Sequence, residues 1–253
     1  MSSISMLPPI LFEDEWLIAF DKPSGLLTLP DRWNKARACL TALVHQHLAP
    51  NIFNVNRLDA EISGILLCAK QKSALTALVR QFEARRGQQH FLALVCGALP
   101  EPDMSIRREL ERDPGEPGRM RLAAAYRRGA CRTRAHAIEV FRGHSLLEAW
   151  PSTDKTHQIR VHLAHVGCPV VADAFYGNGQ GLYLSEIKSD YKFKTNEPER
   201  PLIGRVALHA ESLTFTHPAT HNELTIAAPW PKDFAIAIKY LKRFASSGGE
   251  MAK

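Results

Sequence analysis

Residues 56–69 read NRLDAEISGILLCA, and this stretch joins a charged half to a run of small and apolar residues. The run at 64–69 is continuous rather than alternating, which is typical of a strand that is buried on both faces of a sheet. Ser63 and Gly64 form a turn signal at the junction of the two halves. The stretch therefore predicts a buried strand that is entered from a loop carrying Arg57 and Asp59.

Short strands and a few helices account for the rest of the pattern. Further strands are predicted at residues 10–12, 16–20, 91–96, 133–141, 146–151 and 207–216. Helices are predicted at residues 38–48, from Ser73 to the stop at Gly87, from Thr156 to His165 before Gly167, and at 234–245. Strands mixed with a few helices in this way predict the α+β class, folded as one unit over residues 1–253.

Composition narrows the function classes. The 253 residues carry a formal net charge of +6, which suits an anionic partner such as nucleic acid. Among these residues, no window approaches the roughly 20 apolar residues that cross a bilayer, so we expect no membrane partner. The cysteines are few, odd in number and far apart, as is typical of reduced thiols in a cytoplasmic protein. They are Cys39, Cys68, Cys96, Cys131 and Cys168.

Two polar stretches, residues 101–132 and 178–201, are predicted to be surface excursions rather than linkers. The first contains two Pro-Gly pairs and eight arginines, and the second is polar, with little periodicity. The arginines are Arg107, Arg108, Arg112, Arg119, Arg121, Arg127, Arg128 and Arg132. Lys188, Lys192 and Lys194 lie in the second stretch.

The loop before the buried strand offers one candidate for chemistry. In an extended segment alternate side chains share a face, so Arg57 and Asp59 are expected to point the same way. A carboxylate beside a cation keeps a low pKa, which suits a nucleophile or an anchored base. From spacing alone, a structural Arg–Asp pair is the competing interpretation.

A second candidate is the segment around the helix predicted at 156–165. His157, His162 and His165 invite a metal hypothesis, but their spacings do not reproduce the four-residue step of a helical zinc pair. Arg160 is expected at the border of the buried face, where it could reach a carboxylate on another element. The alternatives left open are a metal-dependent hydrolase and an ordinary boundary arginine.

Five segments together resemble the ribosomal large-subunit pseudouridine synthase A type (RluA-type) family of RNA pseudouridine synthases. Residues 56–70 resemble the family signature His-Arg-Leu-Asp-x-x-Thr-Ser-Gly, with Asn56 and Ile62 in place of its His and Thr. Residues 153–177 resemble the family motif Thr-Gly-Arg-Thr-His-Gln-Ile-Arg-Val-His-Leu-Ala and its Gly-Asp-x-x-Tyr-Gly ending. The other matches are residues 21–26, 91–97 and 205–218, and all five occur in the family's order.

The resemblance implies a mixed, largely antiparallel sheet with flanking helices and a central cleft, without a separate N-terminal RNA-binding domain. It implies that Asp59 is the catalytic carboxylate and that Arg160 holds Asp59 ionised and oriented. Arg57 would fill the stack that a flipped uridine vacates, and Phe91, at the position of a family Tyr, would stack on the uracil.

The same resemblance implies the partner and the reaction. The substrate would be uridine in ribosomal RNA, transfer RNA or both, and the enzyme would act as a monomer in the cytoplasm without a cofactor or metal. A catalytically impaired RNA-binding relative is the alternative, because several motif positions differ from the family.

Overall fold

The computed structural model describes residues 6–31, 34, 36–124, 131–193 and 197–246. The chain forms two compact units. The first comprises Met1–Phe91 and His209–Pro229, and the second comprises Leu92–Leu208 and Trp230–Lys253. The expectation of one catalytic domain over residues 1–253 stays a prediction.

The described elements are mostly short strands. In chain order the strands are β1 (Ile10–Glu13), β2 (Leu17–Lys22), β3 (Phe53–Asn54), β4 (Ser63–Ala69), β5 (Gln88–Cys96), β6 (Asp103–Arg107), β7 (Leu110–Arg112), β8 (Met120–Leu122), β9 (Arg132–Phe141), β10 (His144–Pro151), β11 (Leu208–Thr216) and β12 (Glu223–Ala227). The helices are α1 (Leu40–His47), α2 (Lys72–Glu83), α3 (Gln158–His165), α4 (Leu184–Ile187) and α5 (Lys232–Phe244).

The sheet of the first unit is built around β4, whose seven residues are all buried. Strands β2 and β3 pair with β4 antiparallel, β1 pairs with β2, and β11 runs parallel to β4 with β12 antiparallel beside it. Burial on both faces explains why this strand is apolar throughout rather than alternating. The predicted buried strand at 64–69 is confirmed.

Helix α2 covers this sheet, but its ends differ from the prediction. Leu78 is fully buried in the core cluster, and Leu75 and Phe82 pack against the same cluster, so the predicted apolar stripe is confirmed. The N-cap is Gln71 rather than Ser73. At the other end Arg85, two residues after the helix, takes the left-handed conformation that was expected of Gly87. Packing, rather than a capping side chain, therefore sets both ends.

In the second unit the strand order is β5–β10–β9–β6. Strands β9 and β10 form the predicted antiparallel pair, and β6 lies antiparallel on the other side of β9. Strands β7 and β8 form a separate two-stranded hairpin. The stretch at 101–132 was expected to be a surface excursion, yet it contributes β6 to the sheet. Arg127, Arg128 and Lys194 lie outside the described residues.

Two helices of the second unit follow the sequence pattern closely. Helix α5 buries Phe234, Ile238 and Leu241, as predicted. Helix α3 ends before Gly167, whose φ of +80° provides the expected stop. The sheet combines the parallel pair β4–β11 with several antiparallel pairs, so the predicted α+β class with a mixed, largely antiparallel sheet is confirmed. None of the described helices has the length and apolar character needed to traverse a bilayer.

Gly64 is required where β4 pairs with β11. Its φ is +114°, and a Cβ atom built there would lie 2.1 Å from the carbonyl oxygen of Ala210. Gly64→Ala is therefore expected to combine left-handed strain of about 1–2 kcal/mol with an overpacking cost of about 1–3 kcal/mol. Urea unfolding of the variant measures the sum.

The matched control for this prediction is Gly143→Ala in the turn between β9 and β10. Gly143 has a similar φ of +78°, but a Cβ atom there would meet nothing within 4 Å. The control should therefore show the backbone strain alone. Equal losses in the two variants would contradict the claim that the Ala210 contact requires glycine.

Candidate active site

Burial alternates along the loop that carries Asp59. Asn56 and Leu58 are buried, Arg57 is exposed and Asp59 is half-buried. Alternate burial is what an extended segment with one accessible side produces. The pattern agrees with the expectation that Arg57 and Asp59 share a side.

The backbone on both sides of Asp59 is held by side chains from an earlier segment. The Thr28 hydroxyl donates to the carbonyl of Leu58 at 2.7 Å and accepts from the amide of the same residue at 3.1 Å. On the other side, the Lys22 ammonium donates to the carbonyl of Ala60 at 3.3 Å. Two hydrogen bonds to Leu58 and one to Ala60 therefore restrict the backbone conformation of Asp59.

Lys22 is fully buried at the end of strand β2, after four apolar residues and Asp21. Its ammonium also donates to the carbonyls of Pro23, at 3.1 Å, and Leu26, at 2.7 Å. A buried ammonium is costly unless its protons are all bonded, and these carbonyls provide acceptors. Lys22 lies in the family-like segment 21–26 but was given no role from the sequence, and Thr28 was not singled out at all.

Asn56 anchors the start of the same loop. Its side-chain amide donates to the carbonyl of Ile65 at 3.2 Å, and its oxygen accepts from the amide of Leu67 at 2.8 Å. The side-chain amide of Asn56 thus donates one hydrogen bond to β4 and accepts one from it, as the backbone of a paired strand would. This residue stands where the family signature has His, and here it is a buried structural residue whose amide nitrogen and oxygen each bond β4.

Arg160 is buried in α3, with 2% of its surface exposed. Its Nε and Nη2 donate to the two carboxylate oxygens of Asp173 at 2.7 and 2.9 Å. The expectation that Arg160 lies at the border of the buried face is therefore wrong. The Arg160 guanidinium can be buried because the Asp173 carboxylate, itself fully buried, accepts two hydrogen bonds from it.

A compact turn holds Asp173 in place. The backbone amides of Phe175 and Tyr176 donate to its Oδ1 at 3.0 and 3.3 Å. The rings of the same two residues lie 5.8 and 5.3 Å from the Arg160 guanidinium carbon, within cation–π range. The Gly-Asp-x-x-Tyr-Gly-like ending of the sequence motif is thus the structure that positions Arg160.

Tyr176 connects this turn to two other elements. Its hydroxyl oxygen accepts from the backbone amide of Met120 in β8 at 2.9 Å, and it lies 2.7 Å from Nδ1 of His157. Burial raises the pKa of Tyr176 to about 12, so the phenol is neutral at physiological pH. His157 is the N-cap of α3, with a left-handed φ of 57°, so the predicted cap at Thr156 is wrong by one residue.

The three histidines do not make a metal centre. Among the described residues, no group of three or more His, Cys, Asp or Glu side chains could hold a metal ion. His162 donates from Nε2 to the carbonyl of Arg108 at 3.0 Å and bonds the Thr133 hydroxyl through Nδ1 at 2.9 Å. Burial lowers its pKa, so it is a neutral structural histidine. His165 is exposed at the end of α3.

The four predicted site residues are divided between the units. Arg57, Asp59 and Phe91 belong to the first unit and Arg160 to the second. The Arg160–Asp59 interaction and the catalytic roles stay predictions. Phe91 lies in β5 with 5% of its surface exposed, so its ring is packed in the protein.

Comparisons with known proteins agree on one family. A family model described as RNA pseudouridylate synthase matches residues 16–165. Ribosomal large subunit pseudouridine synthase D of Xanthomonas campestris is 34% identical over 248 residues, which is 96% of this chain and 72% of that protein. The protein of the same name in Xylella fastidiosa is 35% identical over 239 residues, covering 92% of this chain and 69% of that protein.

Solved structures show the same fold. Human RNA Pseudouridylate Synthase Domain Containing 1 superposes with a TM-score of 0.66 at 24% identity, covering 91% of this chain and 86% of that one. Human RNA Pseudouridylate Synthase Domain Containing 4 gives a TM-score of 0.65 at 21% identity, covering 92% of each chain. With the motifs, the family match and the curated relatives all pointing the same way, this chain belongs to the RNA pseudouridylate synthase family, of the RluA type.

Proposed function

We propose that this chain converts uridine to pseudouridine in large-subunit ribosomal RNA, with Asp59 as the catalytic carboxylate. Family membership makes it an RNA pseudouridine synthase, an isomerase. The relatives at 34% and 35% identity are named for the large ribosomal subunit, which supports this RNA as substrate. The observation that carries the role of Asp59 is its position, half-buried in a loop whose backbone is bonded on both sides.

The reaction needs an anionic group at the ribose of the target nucleotide. The bond from C1′ to N1 of uracil breaks, the base rotates, and a bond from C1′ to C5 replaces it. The C5 proton is lost and N1 gains one, so no atom enters or leaves overall. Asp59 would act either by attack at C1′ or by removal of the C2′ proton, and both need the ionised carboxylate.

The other three site residues take supporting roles in this proposal. Arg160, with its orientation fixed by Asp173, would keep Asp59 ionised, since a nearby cation lowers the pKa of a carboxyl group. Arg57, exposed beside Asp59, would occupy the space that the flipped uridine leaves in the RNA stack. Phe91 would supply an apolar ring against the uracil.

The test of the function uses an unmodified transcript of large-subunit ribosomal RNA. Purified enzyme is mixed with it, and pseudouridine is mapped at nucleotide resolution, beside transfer RNA as a second substrate. We expect conversion at a specific uridine of the ribosomal transcript. Conversion of transfer RNA alone would contradict the proposed substrate, and binding without conversion of either RNA would indicate the impaired RNA-binding relative.

Phe91 gives a prediction about the base contact. Stacking of a base on an aromatic ring is worth about 1–3 kcal/mol, so Phe91→Ala should slow single-turnover conversion roughly tenfold to a hundredfold or slightly more. Phe91→Tyr keeps the ring and should change the rate little. Rates are divided by the folded fraction measured by circular dichroism, because Phe91 is also buried.

The comparison of the two Phe91 variants separates stacking from proton transfer. If Phe91→Tyr raised the rate by orders of magnitude, the hydroxyl of the family Tyr would be a proton-transfer group that this chain lacks.

A monomeric state and a cytoplasmic location complete the proposal. Gel filtration of the purified chain and fractionation of cells test them.

A further inference from the structure

The second unit has an exposed sheet face that is rich in arginine, formed by β6, β9 and β10. Along β9 the side chains at 133, 135 and 141 are buried, whereas those at 132 and 134 point to the exposed side. The register pairs Arg107 of β6 with Arg132 and Ser105 with Arg134. Paired residues share a face of the sheet, so Arg107, Arg132 and Arg134 lie together. We call these three residues the arginine face.

The pairing of Arg107 with Arg132 is unfavourable for the folded chain alone. Residues directly opposite on antiparallel strands have Cβ atoms about 4.5–5.5 Å apart, and like charges there destabilise the sheet. Both residues are exposed, and the next basic residue, Arg134, lies one row further along. A bound polyanion would remove this repulsion, because phosphates between the guanidinium groups neutralise them.

Two contacts orient the guanidinium groups without burying them. Arg132 donates from Nε to the Ser105 hydroxyl at 2.9 Å, which fixes its stem along the sheet. The Arg134 guanidinium carbon lies 5.1 Å from the ring centre of Trp150, its cross-strand neighbour on β10. A guanidinium plane over an indole is the kind of flat surface on which an unstacked RNA base rests.

An acidic residue, Asp103, bounds the face beyond Arg134. Asp103 pairs with His136 one row beyond Arg134, and its carboxylate lies 3.3 Å from the Arg134 Nη2. Both side chains of that ion pair are 58% exposed, so it is a weak, solvent-screened contact. In the row of Arg107 and Arg132 both paired residues are cationic, so positive charge is concentrated there.

This positive end adjoins the segment that leads to α3. The carbonyl of Arg132 accepts from the side-chain amide of Gln158 at 3.0 Å and from the backbone amide of Ser152 at 2.8 Å. Gln158 is the first residue of α3, the helix that carries Arg160. A hydrogen bond from the Gln158 side chain to the backbone of Arg132 therefore joins the arginine face to the helix that carries Arg160, a proposed catalytic residue.

We propose that the arginine face is a docking surface for the phosphate backbone of the substrate RNA, outside the nucleotide that reacts. The proposal rests on the proposed function for the identity of the RNA. Arg107 and Arg132 bind phosphates, and Arg134 on Trp150 provides a stacking surface for a neighbouring base. These residues contribute affinity and take no part in the isomerisation.

The test compares two triple variants that lose the same charge. In the first, Arg107, Arg132 and Arg134 are all changed to Gln. The control carries Lys72→Gln, Arg80→Gln and Arg86→Gln, three exposed positions in or near α2 of the first unit. Affinity for an unmodified large-subunit ribosomal RNA transcript is measured across a series of KCl concentrations.

The first variant is expected to bind at least tenfold more weakly at low salt. The slope of log affinity against log salt should become shallower by about 1.4–1.8 units, at roughly 0.7–0.9 for each of the two phosphate contacts that are lost. Its thermal midpoint should be unchanged or higher, since the opposed arginines are gone. Its single-turnover rate at saturating RNA should stay within twofold of wild type.

Several outcomes would overturn the proposal. Equal weakening in the two triple variants would mean that net charge alone matters, and an unchanged slope in the first variant would mean that no phosphate binds there. Should the triple variant unfold, Arg107→Gln alone must still lower the slope by about 0.7–0.9. Failure of the proposed function looks different, because wild-type enzyme would then bind the RNA and form no pseudouridine.

Discussion

Asp59→Asn is expected to lower the single-turnover rate of pseudouridine formation by about a thousandfold or more while RNA affinity is retained. The amide matches the carboxylate in size but has no anionic oxygen for attack at C1′ or for removal of the C2′ proton. The bonds that hold the loop use the backbone of Leu58 and Ala60, so the variant should keep the same loop conformation.

The measurement is a quenched single-turnover assay with enzyme in excess over the ribosomal transcript, beside equilibrium binding of the same RNA. Asp190→Asn is the matched control, because the Asp190 side chain is 79% exposed and its carboxylate makes only a long contact of 3.8 Å with the Lys188 ammonium. If Asp59→Asn kept a tenth of the wild-type rate, Asp59 would not be the catalytic group.

The second large effect concerns the buried pair of Arg160 and Asp173. Asp173→Asn should lower the free energy of unfolding by about 3–5 kcal/mol, because it leaves the buried guanidinium without its counter-charge. Both partners are almost fully buried and share two short hydrogen bonds, so little water can compensate. Urea unfolding followed by circular dichroism measures the loss.

A double variant separates the structural part of this pair from its catalytic part. Replacing Arg160 with Met and Asp173 with Asn removes both charges together, while a side-chain oxygen at position 173 can still accept from the amides of Phe175 and Tyr176. We expect most of the lost stability to return, while conversion stays at least about a hundredfold below wild type, roughly 3 kcal/mol in the barrier. A stable double variant with near wild-type turnover would show that Arg160 has no catalytic role.

The local sequence pattern was sufficient to predict a strand or helix where a single hydrophobic periodicity runs through the segment. The continuous apolar run at 64–69 identified the buried strand β4, and the spacing of Phe234, Ile238 and Leu241 identified the inner face of α5. Motif resemblance identified the family and pointed to Asp59, because its signature residues are close together in sequence. Signals of this kind can be interpreted without knowing how the rest of the chain folds.

Signals that depend on a distant partner were missed. Helix ends moved from Ser73 to Gln71 and from Thr156 to His157, since packing outweighed the local capping preference. Strand β6 lies in a stretch whose sequence predicts a surface excursion, because its partner β9 is distant in the chain. Ile106 of β6, for example, pairs with Thr133, 27 residues further along. Edge strands of this kind carry little periodic signal of their own.

The sequence by itself determined the fold class, most strand positions, the family and the candidate carboxylate. Only the tertiary structure decided that Arg160 is buried against Asp173, that Lys22 and Thr28 hold the backbone around Asp59, and that arginines of β6 and β9 share one face. The physical reason is the distance in sequence between the residues that interact. Periodicity and turn chemistry depend on residues that are close together in the sequence. The cost of burying a charge, or of placing two like charges opposite each other, depends on which distant residue the fold brings next to that charge.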